Sequence, residues 1–254
     1  MPIAMLTDFG TRDYYVGAMK GVILNIDPRA VIVDLTHEIE PQNINAAAFI
    51  LRACYRDFPA GTVFLCVVDP GVGSDRRRII VESNGYFFVG PDNGLFSFVL
   101  NSESAVCSIE NDRFFHKPVS KTFHGRDIFA PVAAHLSNGV ARGEFGPRIN
   151  NPARLPNVDL RQIGDDEFEA TIIHIDRFGN LISSIPAEFA ARPFELVIGN
   201  TRVTECHKTY AEAEPYKPFA IAGSAGFIEI SVNSGSAAKL LGATVGSTVT
   251  IRQK

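Results

Sequence analysis

No apolar stretch in this sequence approaches the ~18 uncharged residues that a helix needs to cross a bilayer, so no membrane partner is expected. An excess of basic residues is also missing: 24 Lys and Arg stand against 28 Asp and Glu, a formal net charge of −4. The lone basic cluster, Arg76-Arg77-Arg78, is far too short for a nucleic-acid stripe, so no nucleic-acid partner is expected either. Cysteine is scarce. Cys54, Cys66, Cys107 and Cys206 form no CxxC pair and no zinc spacing, and they read as free thiols of a reducing compartment, the cytoplasm. The opening "MPIAMLTDFG" has no basic n-region and reaches Asp8 at once, unlike a signal peptide.

The standard catalytic and cofactor boxes are absent too. "DFG" at 8–10 stands without the glycine-rich loop, VAIK lysine or HRD loop of a kinase. "GVGSDRRR" lacks the GK[ST] of a P-loop and the third glycine of a dinucleotide fingerprint, and neither GxSxG nor HExxH occurs. Neither a metal nor an organic cofactor is expected.

What is present is globular: 46% hydrophobic and 20% charged residues over 254 positions, enough for one large domain or two smaller ones. "IAMLT" (3–7), "VIVDL" (31–35) and "TVFLCVV" (62–68) are near-continuously apolar, as strands buried on both faces of a parallel sheet are. "DYYVGAMKGVILNI" (13–26) and "QNINAAAFILRACY" (42–55) carry helical i, i+3, i+4 spacing between them. "RIIVES", "YFFVG" and the helix "RDIFAPVAAHLSNG" (126–139) extend an α/β unit over residues 1–147. Pro147, Pro152 and Pro156 interrupt all periodicity, and 148–166 reads as a linker. From 167 to 254 short alternating runs such as "FEATIIHID", "NLISSI" and "FIEISV" lie between Gly, Pro and Asn, the pattern of a small antiparallel sheet or barrel. The expected fold is therefore α/β, a mostly parallel Rossmann-like sandwich followed by an antiparallel β-barrel.

In open parallel sheets ligands bind at the carboxyl ends of strands. Asp8 follows "IAMLT", Asp69 follows "TVFLCVV", and Asp92-Asn93 follow "YFFVG", so three carboxylates are expected on one rim, two of them beside glycine. For each alone a local turn role is the stronger reading, but three together favour a site. Among the histidines, His135 and His174 read as hydrogen-bonded structural residues, and His37 could be either. His116 and His207 carry no signal. His124, in "KTFHGRDIFAP", stands immediately before a helix, a good place for a ligand contact, although Asp127 alone could cap that helix.

The set "LTDFGTRDYYVGAMKGVI", "DLTHEI", "VVDPGVGSDRR", "VGPDNGLF", "TFHGRDIFAPVAAHL", "IDRFGNLISSI" and "GSAGFIEISVNSGSAA" resembles the S-adenosyl-L-methionine hydroxide adenosyltransferase family. This is the hydrolytic branch of the superfamily that includes the fluorinating and chlorinating enzymes. The resemblance runs through both halves in order. It implies hydrolysis of S-adenosyl-L-methionine (SAM) to adenosine and L-methionine by water attack at the ribose C5′. It also implies a homotrimer, each site lying between the N-terminal domain of one subunit and the C-terminal domain of its neighbour.

Carried over residue by residue, the resemblance puts the hydrolytic triad on Asp69, Arg76 and His124 and the ribose and nucleoside contacts on Asp8 and Phe9. It puts nucleoside contacts of the C-terminal domain on Asp176, Phe178 and Asn180, a methionine contact on Ser224 and an adenine-side contact on Asn233. Halogenating members have a non-acidic residue at the position of Asp69 and no histidine at that of His124, which favours water over halide. One departure is Ala225, which stands where halogenating members have an arginine. Halide transfer to C5′ and a non-catalytic adenosine- or SAM-binding regulator are the alternatives.

Overall fold

The computed structural model describes residues 1–156 and 160–253. The chain divides into two compact units, Met1–Leu155 and Pro156–Lys254. Residues 157–159 of the segment expected as a linker lie outside the described residues. Elsewhere that segment holds two short strands, one in each unit.

The N-terminal unit contains β1 (Ile3–Thr7), α1 (Tyr15–Ile26), β2 (Ile32–Thr36), α2 (Ile44–Cys54), β3 (Val63–Val67), β4 (Arg78–Ser83), β5 (Tyr86–Pro91), β6 (Ala105–Ser108), α3 (Ala130–Ser137) and β7 (Arg148–Ile149). Among the described residues these strands form a seven-stranded sheet in the order β2-β1-β3-β5-β4-β6-β7. Strands β2, β1, β3 and β5 run parallel; α1 joins β1 to β2, α2 joins β2 to β3, and the chain passes from β3 to β5 by way of β4. Beyond β5 the pairing turns antiparallel, because only Asn84-Gly85 separates β4 from β5. Both turn residues have positive φ, 52° and 79°, the requirement of a tight type I′ hairpin.

Alternation along β1 and β3 builds two cores. Ile3, Met5, Val63 and Leu65 pack on one face with Met19 and Ile23 of α1 and Val132 of α3. Ala4, Leu6, Phe64 and Cys66 pack on the other with Ala47 and Leu51 of α2. Both strands are buried throughout, as their continuous apolar text requires. Strand β2 departs from that expectation. It ends the sheet with one neighbour only, and Val31 and Val33 are exposed. The Asn43 side chain caps α2 by accepting from the Ala46 amide at 2.9 Å. His135 on α3 lies 5.1 Å from the Phe114 ring, and burial holds its protonation below the ordinary range.

The C-terminal unit contains β8 (Arg161–Gln162), β9 (Glu167–Ile175), β10 (Leu181–Pro186), β11 (Phe194–Ile198), β12 (Thr201–Val203), β13 (Pro218–Ala222), β14 (Phe227–Val232), α4 (Ala237–Leu241) and β15 (Thr248–Gln253). These strands pair antiparallel in the order β12-β11-β15-β9-β10-β14-β13, with β8 on β9. The nearly closed sheet wraps a core of Ile172, Leu181, Leu196, Ile228, Ile230, Val249 and Ile251. The α/β-plus-barrel architecture read from the sequence is the one observed. Among the described residues no helix is long and apolar enough to cross a membrane.

Candidate active site

Parallel register sets Thr7 of β1 opposite Val67 of β3, so the chain leaves both strands at one edge of the sheet and delivers Asp8 and Asp69 to it. After Asp69 the chain folds back through tight turns: the Val72 amide reaches the Asp69 carbonyl (3.2 Å) and the Ser74 amide the Gly71 carbonyl (3.1 Å). The Arg76 guanidinium thereby returns to its own loop origin. Its Nε donates to Asp69 Oδ1 at 2.7 Å, and its Nη2 donates to Oδ2. The two side chains are 11% and 5% exposed, so this is a shielded two-point charge pair.

The third member arrives by close approach of a second loop. Gly73 has φ 80°, and a Cβ there would sit 2.3 Å from the Lys121 carbonyl oxygen. Only glycine lets these backbones touch. That contact carries His124, at the head of a π-helical turn over Gly125–Phe129, to the arginine. His124 Nδ1 lies 2.9 Å from Arg76 Nη2. A guanidinium cannot accept a hydrogen bond, so Nδ1 is the acceptor and the ring's proton sits on Nε2. His124 is buried, and that burial, reinforced by the charges of Arg76 and Arg78, lowers its pKa from the ordinary value. The Arg76 guanidinium also lies 5.4 Å from the centre of the Phe129 ring.

Asp8 sits on the same rim, where its Oδ2 accepts from the Gln42 amide at 2.8 Å. Phe9 joins a ring cluster with Tyr15 (5.7 Å) and Phe123 (6.0 Å). His37, open from sequence, is structural: its Nδ1 pairs with Thr7 Oγ1 at 2.9 Å and its Nε2 lies 3.0 Å from Asp34.

Two sequence readings are corrected. Asp92 follows the neighbouring strand as expected, but its carboxylate is fully engaged by Arg77 Nε and the Ala153 amide, both at 2.7 Å. It anchors the 151–153 segment and does not join the site. Asp127 does not cap the helix. It is completely buried and holds the Ser120 amide (2.8 Å) and the Arg126 guanidinium, which shapes the loop leading to His124.

In the C-terminal unit Asp176 Oδ1 accepts from the Phe178 and Asn180 amides, each at 2.9 Å, and its Oδ2 accepts from Asn180 Nδ2 at 2.8 Å. This closed turn displays Phe178, 76% exposed, while Asn180 is buried. Ser224 is exposed on the Gly223–Gly226 turn, and Asn233 Nδ2 donates to the Ala213 carbonyl at 2.8 Å. No hydrogen bond joins Ser224 or Asn233 to the Asp176 turn among the described residues. Sequence reading missed Tyr210 and Glu229, whose side chains bond at 3.0 Å. Burial and Glu229 push the Tyr210 hydroxyl up to about 12. The available signal was a lone acid inside the apolar text "FIEISV". Among the described residues no group of three or more His, Cys, Asp or Glu side chains is arranged to hold a metal ion.

Residues 3–146 match the SAM hydroxide adenosyltransferase N-terminal domain, and residues 170–250 match the C-terminal domain of the same family. An (R)-S-adenosyl-L-methionine hydrolase of Methanocaldococcus jannaschii is 38% identical, with 94% of this chain and 91% of that protein covered. One of the same name from Thermus thermophilus is 37% identical over 98% of each. A fluorinase of an Actinoplanes species is more distant, 26% identical over 72% of this chain and 71% of its own. The crystal structure of an uncharacterized conserved protein from Thermotoga maritima superposes with a TM-score of 0.92 at 35% identity, covering 99% of this chain and all of that one.

Proposed function

This chain belongs to the SAM hydroxide adenosyltransferase family, and on that premise we propose that its Asp69–Arg76–His124 cluster directs a water molecule onto the ribose C5′ of SAM. The enzyme hydrolyses SAM. The observation that carries the mechanism is the closed chain of contacts from Asp69 through Arg76 to His124. Arg76 occupies one side of both carboxylate oxygens and leaves lone pairs for a water proton. His124, neutral and protonated on Nε2, offers a donor that holds the water oxygen from a second direction. As the oxygen–C5′ bond forms, the C5′–sulfur bond breaks with its electron pair going to sulfur. The water proton passes to Asp69, and the leaving group is the neutral thioether of methionine. Because the sulfonium already activates the carbon, alignment of a poor nucleophile is the main task left to the protein.

We further assign Asp8 and Phe9 to the ribose and nucleoside, Asp176, Phe178, Asn180 and Asn233 to the nucleoside, and Ser224 to the methionine end. Residues 1–147 and 167–254 are the two functional domains, joined by 148–166. The active assembly is a homotrimer in the cytoplasm in which the C-terminal residues come from the neighbouring subunit. Incubation with SAM in H2(18)O tests the reaction. The expected products are methionine and adenosine carrying the label at its 5′ oxygen. Adenine with a ribosyl product, 5′-halo-adenosine in chloride, or tight adenosine binding without turnover each refutes it. The two hydrolases above are named for the (R) sulfonium epimer, and this enzyme is expected to share that preference.

A further inference from the structure

His37 is a buried polar residue that the proposed reaction does not use, and it ties together two loops at the rim of the N-terminal sheet. It is 4% exposed, and its partner Thr7, the last residue of β1, is fully buried. A bulge in β2 brings the two side chains together. Met5 of β1 pairs with Asp34 and Leu6 pairs with Thr36, so Leu35 is an extra residue on β2. Residues three apart on a regular strand point to opposite faces. The extra residue shifts that alternation by one, and Asp34 and His37 come to lie side by side, Oδ1 and Nε2 being 3.0 Å apart.

The polar atoms then form a directed chain. Lys20 Nζ on α1 donates to Asp34 Oδ2 at 2.6 Å. The other carboxylate oxygen faces His37 Nε2, close but not aligned as a full hydrogen bond. A carboxylate only accepts, so the proton of the neutral ring belongs on Nε2, and Nδ1 is left to accept from the Thr7 hydroxyl at 2.9 Å. The Thr7 oxygen in turn accepts from the Phe9 amide at 3.3 Å, closing a turn over Asp8. The His37 carbonyl adds a second tie by accepting from the Gly10 amide at 2.7 Å. One residue thus grips the 7–10 segment at both ends. The Gln42 amide, by contrast, holds the Asp8 carboxylate and not the backbone that carries it.

We propose that His37 is a positioning residue for ribose recognition: its Nδ1, set as an acceptor by Asp34, orders the Thr7 hydroxyl and with it the turn that aims Asp8. This rests on the assignment of Asp8 to the ribose. His37 touches neither the substrate nor the reacting atoms. Two parallel hydrogen bonds to a diol demand a carboxylate held in one orientation, and a supporting group with locked hydrogen bonds supplies that rigidity.

The test separates the two ring nitrogens. In His37→Asn the amide oxygen can stand in for Nδ1 and accept from Thr7. In His37→Gln the longer side chain reaches toward Asp34 instead and leaves the Thr7 hydroxyl without its acceptor. Thr7→Val removes the hydroxyl and keeps the branched shape. The value of kcat/KM is measured for SAM and for its 2′-deoxy analogue with each whole protein. The ratio of the two is the readout, because loss of folded protein lowers both values alike. The preference for the ribo substrate is expected to fall roughly tenfold in His37→Gln and Thr7→Val, as for one displaced hydrogen bond to a charged group, and to stay within about twofold of wild type in His37→Asn. An unchanged ratio in either His37→Gln or Thr7→Val would show that the turn aims Asp8 without this chain. An equal fall in all three would show that the bulk of the ring matters and not its Nδ1. Either result overturns the proposal. Failure of the Asp8 assignment is seen separately, as wild-type protein that does not distinguish the two substrates, and it removes the premise as well.

Discussion

Asp69 has one task in the proposed chemistry, accepting the water proton, and its removal isolates that task. Asp69→Asn keeps the size of the group and one acceptor for Arg76. It is expected to lower kcat about 10²-fold or more, within the range for a general base, while adenosine affinity changes little. Near-wild-type turnover would remove Asp69 from the mechanism. His124 contributes a pH signature. Its Nδ1 must stay unprotonated to accept from Arg76, and burial with two nearby guanidiniums places its pKa below the ordinary 6.5. The acid limb of kcat assigned to His124 is therefore expected below pH 6.5, and Arg78→Gln, which removes one of those charges, should move it upward. An unchanged limb in that variant would contradict the electrostatic account. Asp8 offers a third test. Its Oδ2 already accepts from Gln42, and its remaining lone pairs can receive ribose hydroxyls. A 2′-deoxy substrate should lose about 1.5–3 kcal/mol in kcat/KM, the range for hydrogen bonds to charged groups, and Asp8→Ala should erase most of that difference. Equal discrimination by the variant would exclude Asp8 as the ribose reader.

Among the elements, the two loops that carry the triad meet at one close backbone contact. Gly73 lets the 69–76 turn touch the Lys121 carbonyl, and the distance from Arg76 to His124 follows from that contact. Gly73→Ala is expected to cut turnover at least about tenfold, since small misplacements of catalytic groups have large rate effects. Gly139→Ala is the matched control. It has a similar positive φ of 90° and nothing within 4 Å of the new Cβ, so it should cost about 1–2 kcal/mol of stability and leave kcat alone. Turnover in Gly73→Ala no lower than in the control would show that the loop contact does not set the site. The π turn after His124 belongs to the same device. It is the irregular backbone that often marks functional positions, and its own buried Asp127 ties it to the Ser120 amide.

For the whole molecule, the question is where the C-terminal residues meet the triad. Phe178 and Tyr14 are large, exposed aromatics, and the proposed trimer gives such surfaces a use. Light scattering is expected to report three copies per particle. Co-expression of Asp69→Asn and Asn180→Ala subunits should restore turnover, because some interfaces then pair an intact N-terminal half with an intact C-terminal half. A mixture no more active than its parts, or a fully active monomer, would contradict an intersubunit site.

Much of this was legible in the amino-acid order alone, for local reasons. Unbroken apolar text marked β1 and β3 as strands buried on two faces, and helical spacing marked α1 and α2. Asp69 was readable as a strand-end carboxylate; Arg76 was assigned through the family resemblance, and a tight loop brings its guanidinium back to Asp69. The same text could not separate Asp69 from Asp92. Both follow strands that lie side by side in the sheet, and only tertiary structure engages Asp92 with Arg77 and Ala153. Nor could it assign His37, whose partners Thr7 and Asp34 come from two different strands. Edge or interior, as for β2, depends on how many neighbours a strand finds, and no local pattern records that number. Glu229 is the clearest case. Period-two alternation fixes the face it occupies, but its pairing with Tyr210 and its pressure on Gly223 exist only once the barrel brings three segments together.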